Sequence, residues 1–211
     1  MIRLHGYWRS TAAWRVRLAL AAKGLAHDSI AVNLVQGQQR STGHLALNLQ
    51  GLVPVLEHDG LVLTQSLAIM EYLDEVFPDP PLLPADPAGR ARVRAAALIV
   101  AADVHPLGNL RVQRWLRSEM QQDDAAVTRW LHQWMRDGLT ALEVMARQYS
   151  GRHLIGDSVS IADLALVPQL YNARRFALPL NSFPGLLAAE KAISVLDWAI
   201  TAGPELQPDA I

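Results

Sequence analysis

The sequence predicts an α/β unit followed by an all-helical one, and three observations carry that prediction. Close to the N-terminus, two alternating apolar runs flank a run of helical spacing, the pattern of a βαβ unit. Between Phe77 and Pro87 lie five prolines (Pro78, Pro80, Pro81, Pro84 and Pro87), which neither a helix interior nor a sheet interior tolerates. Beyond them apolar residues recur at helical spacing, and no strand pattern stands out. Two domains are therefore expected, over residues 1–80 and 88–211.

Composition narrows the function. The 211 residues are 51% hydrophobic and 18% charged, the balance of an ordinary soluble globular protein rather than a disordered chain. A formal net charge of −1 gives no argument for nucleic acid or an anionic membrane surface as partner. The absence of cysteine excludes disulfides, thiolate metal ligands and a cysteine nucleophile, so any reactive sulfur must come from outside the protein. The seven histidines are scattered without ligand spacing, and no metal site is expected. The longest apolar run, Ala95 to Ala102, falls short of the ~18 residues a membrane span needs. No basic leader with an apolar run and cleavage site opens the chain, so a cytoplasmic protein is expected.

Taken in order, Ile2 to His5 alternates as a strand. Ser10 then opens a helix over Thr11 to Lys23, with Trp14 and Leu18 on one face and Lys23-Gly24 as its stop. Ile30, Val32 and Leu34 alternate as a second strand. A strand, a helix and a strand joined by short links favour a parallel βαβ unit. Gly37 to Gly43 reads as a polar loop. Asp59-Gly60, between Val53-Pro54-Val55-Leu56 and Leu61-Val62-Leu63, signals a hairpin. Pro54 belongs at a strand start or an edge, because it cannot donate to a ladder. Gln65-Ser66 leads into a helix over Leu67 to Leu73. The sum, βαβ then ββα, is a thioredoxin-like layout.

In the second half, Ala88 to about Arg117 reads as one long helix, kinked at Pro106. Asp123 to Tyr149 is another, with Trp130, Trp134 and Leu142 as buried candidates. Ser160-Ile161-Ala162-Asp163 is a capping box opening a helix to about Phe176. A last helix covers Leu186 to about Ala202, and the tail from Gly203 reads as loose. His105 and Asn109 are four apart and share a helix face, whereas Arg111 points elsewhere on a straight helix.

The richest chemistry lies in Tyr7-Trp8-Arg9-Ser10-Thr11-Ala12-Ala13-Trp14-Arg15-Val16-Arg17. A hydroxyl at a helix N-terminus sits among backbone N–H groups at the positive end of a dipole, a setting that suits an anion such as a thiolate. The plain alternative is a serine that only caps its helix, with arginines in solvent. Ser66, at the start of its own helix, is open to the same two readings. Paired Arg174 and Arg175 near a helix C-terminus are accounted for by the dipole alone, although guanidinium also binds carboxylate bidentately.

Trp8-Arg9-Ser10 with Trp14-Arg15-Val16-Arg17, Val53-Pro54, Gln65-Ser66-Leu67-Ala68-Ile69, His105-Pro106-Leu107 with Asn109, Val167-Pro168-Gln169 and Asn172-Ala173-Arg174-Arg175-Phe176 together resemble the zeta class of the glutathione transferase family, over essentially the whole chain. The resemblance implies the glutathione transferase architecture, with glutathione as cofactor, a dicarboxylate small-molecule substrate and a homodimer. It also implies glutathione-dependent cis–trans isomerisation of a maleyl keto acid in aromatic degradation. In that family the proline matching Pro54 is cis. Ser10 is implied to bond the glutathione sulfur; Thr11, Arg15, Gln39, Val53, Gln65 and Ser66 to surround the tripeptide; and His105, Asn109 and Arg111 to line the site from the helical domain. Arg9, Arg111 and Arg175 are the implied substrate-carboxylate residues. The chain departs from the class at Ala12, where many members have cysteine, at Thr11 in place of serine, and at Leu49 in place of proline. The missing cysteine puts in doubt any mechanism using a protein thiol. Two other readings stay open: a general glutathione transferase acting on electrophiles, and a non-catalytic binding protein of the same fold.

Overall fold

The computed structural model describes residues 1–210, and the chain divides into two units: Met1–Leu82 together with the segment from Val195 onward, and Leu83–Ser194. The second boundary departs from the expected 1–80 and 88–211. The last residues belong with the first unit because they dock on its opening strand and helix, as described below.

In the first unit, β1 (Ile2–Gly6), α1 (Thr11–Ala22) and β2 (Asp28–Ala31) form the parallel βαβ unit, and Leu4 stands opposite Ser29. After α2 (Thr42–Leu47), β3 (Val55–His58) and β4 (Leu61–Thr64) form the hairpin, and α3 (Ser66–Val76) follows. The mixed sheet has the order β2-β1-β3-β4, with Leu4 opposite Leu56 and Leu56 opposite Leu63. Period-2 alternation works as it should on β1: Ile2 and Leu4 are buried while Arg3 is exposed. At the hairpin tip Asp59 and Gly60 have φ of 48° and 83°, the primed turn that matches strand twist. Helices α1 and α3 pack together around Val16, Leu18, Leu20, Ile69, Met70 and Leu73, all completely buried.

Two expectations here are corrected. The second strand ends at Ala31, and Leu34 lies in a turn. Its four residues are exposed on the sheet edge, and the Val32 N–H still reaches the Gly6 carbonyl of β1 at 2.6 Å before the chain turns away. The loop expected at 37–43 holds a 3-10 turn, Gln38–Arg40, and the start of α2, whose N-cap Ser41 accepts the His44 N–H at 3.3 Å.

Lys23 does more than stop α1. Its buried ammonium donates to Asp74 Oδ1 (2.8 Å) and to the carbonyls of Phe77 (2.7 Å) and Pro80 (2.8 Å). Asp74 in turn accepts the Leu82 N–H at 2.6 Å, so one buried ion pair fastens the proline-rich segment to the first unit. Removing one partner of such a pair costs about 3–5 kcal/mol.

The second unit comprises α4 (Pro87–Leu98), a π-helical segment over Ile99–Val104, α5 (His105–Leu107), α6 (Leu110–Ser118), α7 (Asp124–Tyr149), α8 (Ile161–Arg175) and α9 (Pro184–Ser194). The single helix expected over 88–117 is thus broken. Pro106 has no N–H to give and its ring crowds the preceding turn, so the backbone widens into i→i−5 bonding before it. The helix stops at Gly108, and Asn109 begins the next one. Gly138 on α7 lets that helix run close to the widened turn: a Cβ there would lie 2.1 Å from Val104 Cγ2. The core face of α7 is Val127, Leu131, Met135, Leu139, Leu142 and Ala146. Trp130 and Trp134 sit one position off this stripe. Trp130 is half-buried, donating Nε1–H to the Leu107 carbonyl at 2.8 Å, and Trp134 is exposed, contrary to expectation. Among the described residues no helix is long and apolar enough to cross a membrane.

The last expected helix is also interrupted. It divides into α9 and α10 (Asp197–Thr201), and only α10 belongs to the first unit. The tail after Gly203 is not loose. A 3-10 turn, Pro204–Leu206, precedes Gln207, whose Nε2–H donates to the Gly203 carbonyl at 2.8 Å. Asp209 Oδ2 accepts the Trp8 N–H at 2.9 Å.

Candidate active site

The turn leaving β1 is built to present Ser10. Ser10 donates its N–H to the Tyr7 carbonyl (2.9 Å) and stays extended at φ −71°, ψ 113°, as an N-cap requires. Its carbonyl accepts from Trp14 N–H at 2.8 Å, and its Oγ accepts from Ala13 N–H at 3.3 Å. The first turn of α1 contains no acidic residue, so no carboxylate of its own neutralises the positive end of the dipole. Gly6 permits the tight approach of strand to helix: a Cβ there would lie 3.2 Å from the Ala13 Cβ. Thr11 is buried one residue into the helix.

The arginines following Ser10 are not solvated. Arg15 and Arg17 are buried, at 1% and 5% exposure. Arg17 donates to the carbonyls of Trp8 (2.7 Å), Ala202 (3.3 Å) and Tyr7 (3.5 Å), and spends its guanidinium on the backbone around Ser10. Arg15 donates Nη1–H to Ser66 Oγ at 3.2 Å, while its Nε and Nη2 have no hydrogen-bond partner. Burial pushes the Arg15 pKa down to about 10, with no acid nearby to raise it again. The half-buried Arg9 lies over the Trp8 ring, 4.8 Å from its centroid.

The Arg15–Ser66 contact joins the two helix starts singled out in the sequence. Ser66 is the first residue of α3, and the N-cap is Gln65, held at φ 69° with its side chain donating to Gln50 Oε1 at 2.9 Å. Ser66 is therefore not the simple cap of the plain alternative. Val53 precedes Pro54 through a cis peptide bond, and Asp79–Pro80 is a second cis bond. The carbonyl of Leu52, just before Val53, accepts from buried His44 Nε2 (2.9 Å) and Asn48 Nδ2 (3.0 Å). Gln39 is buried with its Oε1 unpartnered. His44 and Asn48 were missed in the sequence; the Ser41 cap is the signal that would have placed them on a helix.

In the second unit, Asn109 caps α6 by accepting the Arg111 N–H at 3.0 Å. It is extended at ψ 149°, so the expected shared helix face with His105 does not exist. His105 is half-buried at the start of α5, and Arg111 is exposed on α6. Arg175 lies over the Phe176 ring, 5.0 Å from its centroid. Its neighbour Arg174 is bound to Glu190, which raises its pKa. Of the expected site residues, the structure joins Arg15 and Ser66 directly and sets Ser10 and Thr11 on the same helix as Arg15.

This arrangement suits an anionic, peptide-like ligand. Two helix N-termini and two hydroxyls, backed by a buried cation without an acid, favour such a ligand. The first 75 residues match the model of the glutathione S-transferase N-terminal domain. A probable maleylacetoacetate isomerase of Vibrio cholerae is 43% identical over 209 residues, 98% of this chain and 97% of the relative. A holo structure of maleylpyruvate isomerase, described as a bacterial zeta-class glutathione S-transferase, aligns with a TM-score of 0.96 at 41% identity, covering 99% of this chain and all of the other. A maleylacetoacetate isomerase from Anaeromyxobacter dehalogenans with glutathione in its active site aligns at 0.90 and 45% identity, covering 100% and 98%. With such likeness along its whole length, the chain belongs to the zeta-class glutathione transferase family of maleylacetoacetate and maleylpyruvate isomerases.

Proposed function

We propose that this protein catalyses the glutathione-dependent cis–trans isomerisation of a maleyl keto acid, maleylacetoacetate or maleylpyruvate, to its fumaryl isomer. The observation that carries the proposal is Ser10: a half-buried hydroxyl at a helix start without an acid in its first turn, on the helix that also holds the unpaired cation of Arg15. Bound glutathione supplies a thiolate that adds reversibly to the conjugated double bond, allows rotation about it, and is regenerated on departure.

The chain's own residues make that chemistry possible at neutral pH. A free thiol titrates near ~8.5, and Ser10 Oγ–H together with the α1 dipole favours its ionised form. Ser66, Gln65 and the start of α3 take the carboxylate end of the tripeptide, with Arg15 behind Ser66. The Val53 backbone pairs with the peptide, and Gln39 Oε1 accepts a ligand N–H. Arg9 and Arg175 hold substrate carboxylates and offset the negative charge that builds on the carbonyl, and Arg111 is a third candidate. His105 and Asn109 complete the proposed set. No cysteine is required, which makes the family departure at Ala12 harmless. The protein is proposed to act in the cytoplasm as a homodimer.

The test is direct. Mixed with each maleyl acid and followed spectrophotometrically, the protein is expected to convert it only when glutathione is present. Equal conversion without glutathione, or conjugation of chlorinated aromatics faster than isomerisation, overturns the proposal.

A further inference from the structure

The ladder between β1 and β2 ends at Gly6, whose carbonyl accepts the Val32 N–H at 2.6 Å. The chain then runs through Tyr7 and Trp8, both buried, before reaching Ser10. A buried peptide group beyond the end of a ladder needs other partners. The Trp8 N–H finds Asp209 Oδ2 at 2.9 Å, and the Trp8 carbonyl finds Arg17 Nη2 at 2.7 Å. Arg17 also donates Nε–H to the Ala202 carbonyl at 3.3 Å. The segment 202–209 therefore reaches the reacting corner twice, once through Arg17 and once directly. Two residues further along, Ser10 is tied back to Tyr7 by its own N–H. Asp209 lies 201 residues away in sequence from the peptide it holds, and nothing local replaces it.

The structure assigns to Asp209 the part of a positioning residue for Ser10: by accepting the Trp8 N–H it fixes the Tyr7–Ser10 turn and with it the aim of the Ser10 hydroxyl. This rests on the proposed role of Ser10 toward the glutathione sulfur. Asp209 touches neither substrate nor tripeptide in this assignment, and acts only through the turn. The charged groups that share the corner are Arg9 and Arg17, with His27 close enough to Arg17 to feel its charge. Removing the negative charge of Asp209 without moving Ser10 would favour a thiolate and lower the pH at which the bound thiol ionises. Releasing the turn does the opposite. The direction of the shift thus separates position from charge.

The experiment compares Asp209→Ala, Asp209→Asn and Ser10→Ala by steady-state kinetics and by ultraviolet titration of the thiolate of bound glutathione. Asp209→Ala is expected to lower kcat about tenfold or more, since small misplacements of catalytic groups are costly, with KM for glutathione changed less than ~2-fold. Its bound thiol is expected to ionise at higher pH. Asp209→Asn keeps an acceptor for the Trp8 N–H and is expected to restore most of kcat. A lowered melting temperature with kcat and thiol titration unchanged overturns the assignment, as does an Asp209→Asn variant as impaired as Asp209→Ala. If Ser10→Ala itself leaves the thiol titration unchanged, the reading of Ser10 fails and takes the assignment with it; a shift in Ser10→Ala without one in Asp209→Ala removes the assignment alone.

Discussion

Helices α1 and α8 are both capped by serine, and their two starts are finished differently. Ser160, at the head of α8, is buried and closed into a box: Asp163 Oδ2 accepts both its N–H and its hydroxyl at 2.9 Å, and Asp163 Oδ1 accepts the Leu154 N–H at 2.8 Å. Ser10, at the head of α1, is half-buried, has Ala13 where the box would place its acid, and is followed by buried arginines. One cap satisfies its own polar groups and is structural. The other leaves its positive end unneutralised and is available to an anion. The same residue at the same helical position is therefore closed by an acid or left open to an anion according to what stands three residues on.

The largest effect should come from opening the closed cap. Asp163→Ala strips three donors of their buried acceptor and is expected to cost about 3–5 kcal/mol in denaturant unfolding. Next comes the exchange of roles between the two serines. Ser10→Ala is expected to lower turnover about 100-fold while changing stability by no more than ~1 kcal/mol. Ser160→Ala should cost ~1–2 kcal/mol and leave the kcat of the folded protein intact. Equal kinetic effects from the two would erase the distinction.

Arg15→Met sharpens the open side. The guanidinium is buried without an acid, so an apolar replacement is expected not to lower the stability of the free protein, while KM for glutathione rises about tenfold. The smallest effect concerns pH. Burial raises the Asp163 pKa in the folded protein, against the hydrogen bonds from Leu154 and Ser160 and the charge of His153 that lower it. The folded state then holds that proton more tightly than the unfolded chain. Its contribution to stability is fully present below 3.8 and is lost as pH rises through the higher folded value. Asp163→Asn should be less stable overall but lack that downward slope, measurable as denaturant midpoints across the acid range. The Ser10 start, having no acid, should show no such slope.

Local signals are decisive where they are complete. The Asp59-Gly60 turn, the Ser10 start, the Lys23-Gly24 stop and the Ser160–Asp163 box each lie within a few residues, and their steric and hydrogen-bonding demands are met on the spot. Of the candidate site, the helix starts at Ser10 and Ser66 are legible in the same way. Where a residue's partner is remote, the sequence leaves its surroundings open. Along the sequence Arg15 and Arg17 fit either a solvated face or a binding site until Ser66 and the carbonyls of Trp8 and Ala202 are set beside them. The single helix expected as far as about Arg117, with a kink at Pro106, instead breaks at Gly108, because the proline widens the helix before it and Asn109 caps the next one.

The sequence by itself determined the βαβ-ββα order of the first unit, the place of the proline-rich segment, the absence of any protein thiol and the position of the Ser10 hydroxyl at a helix start. These follow from periodicity, turn chemistry and composition, all short-range properties. Only the tertiary structure decided that Arg15 is a buried cation without an acid, that Lys23 fastens the proline segment, and that the residues around Asp209 return to hold the turn before Ser10. Such facts depend on which distant groups exclude water from one another, and burial is a property of the packed chain, not of any window along it.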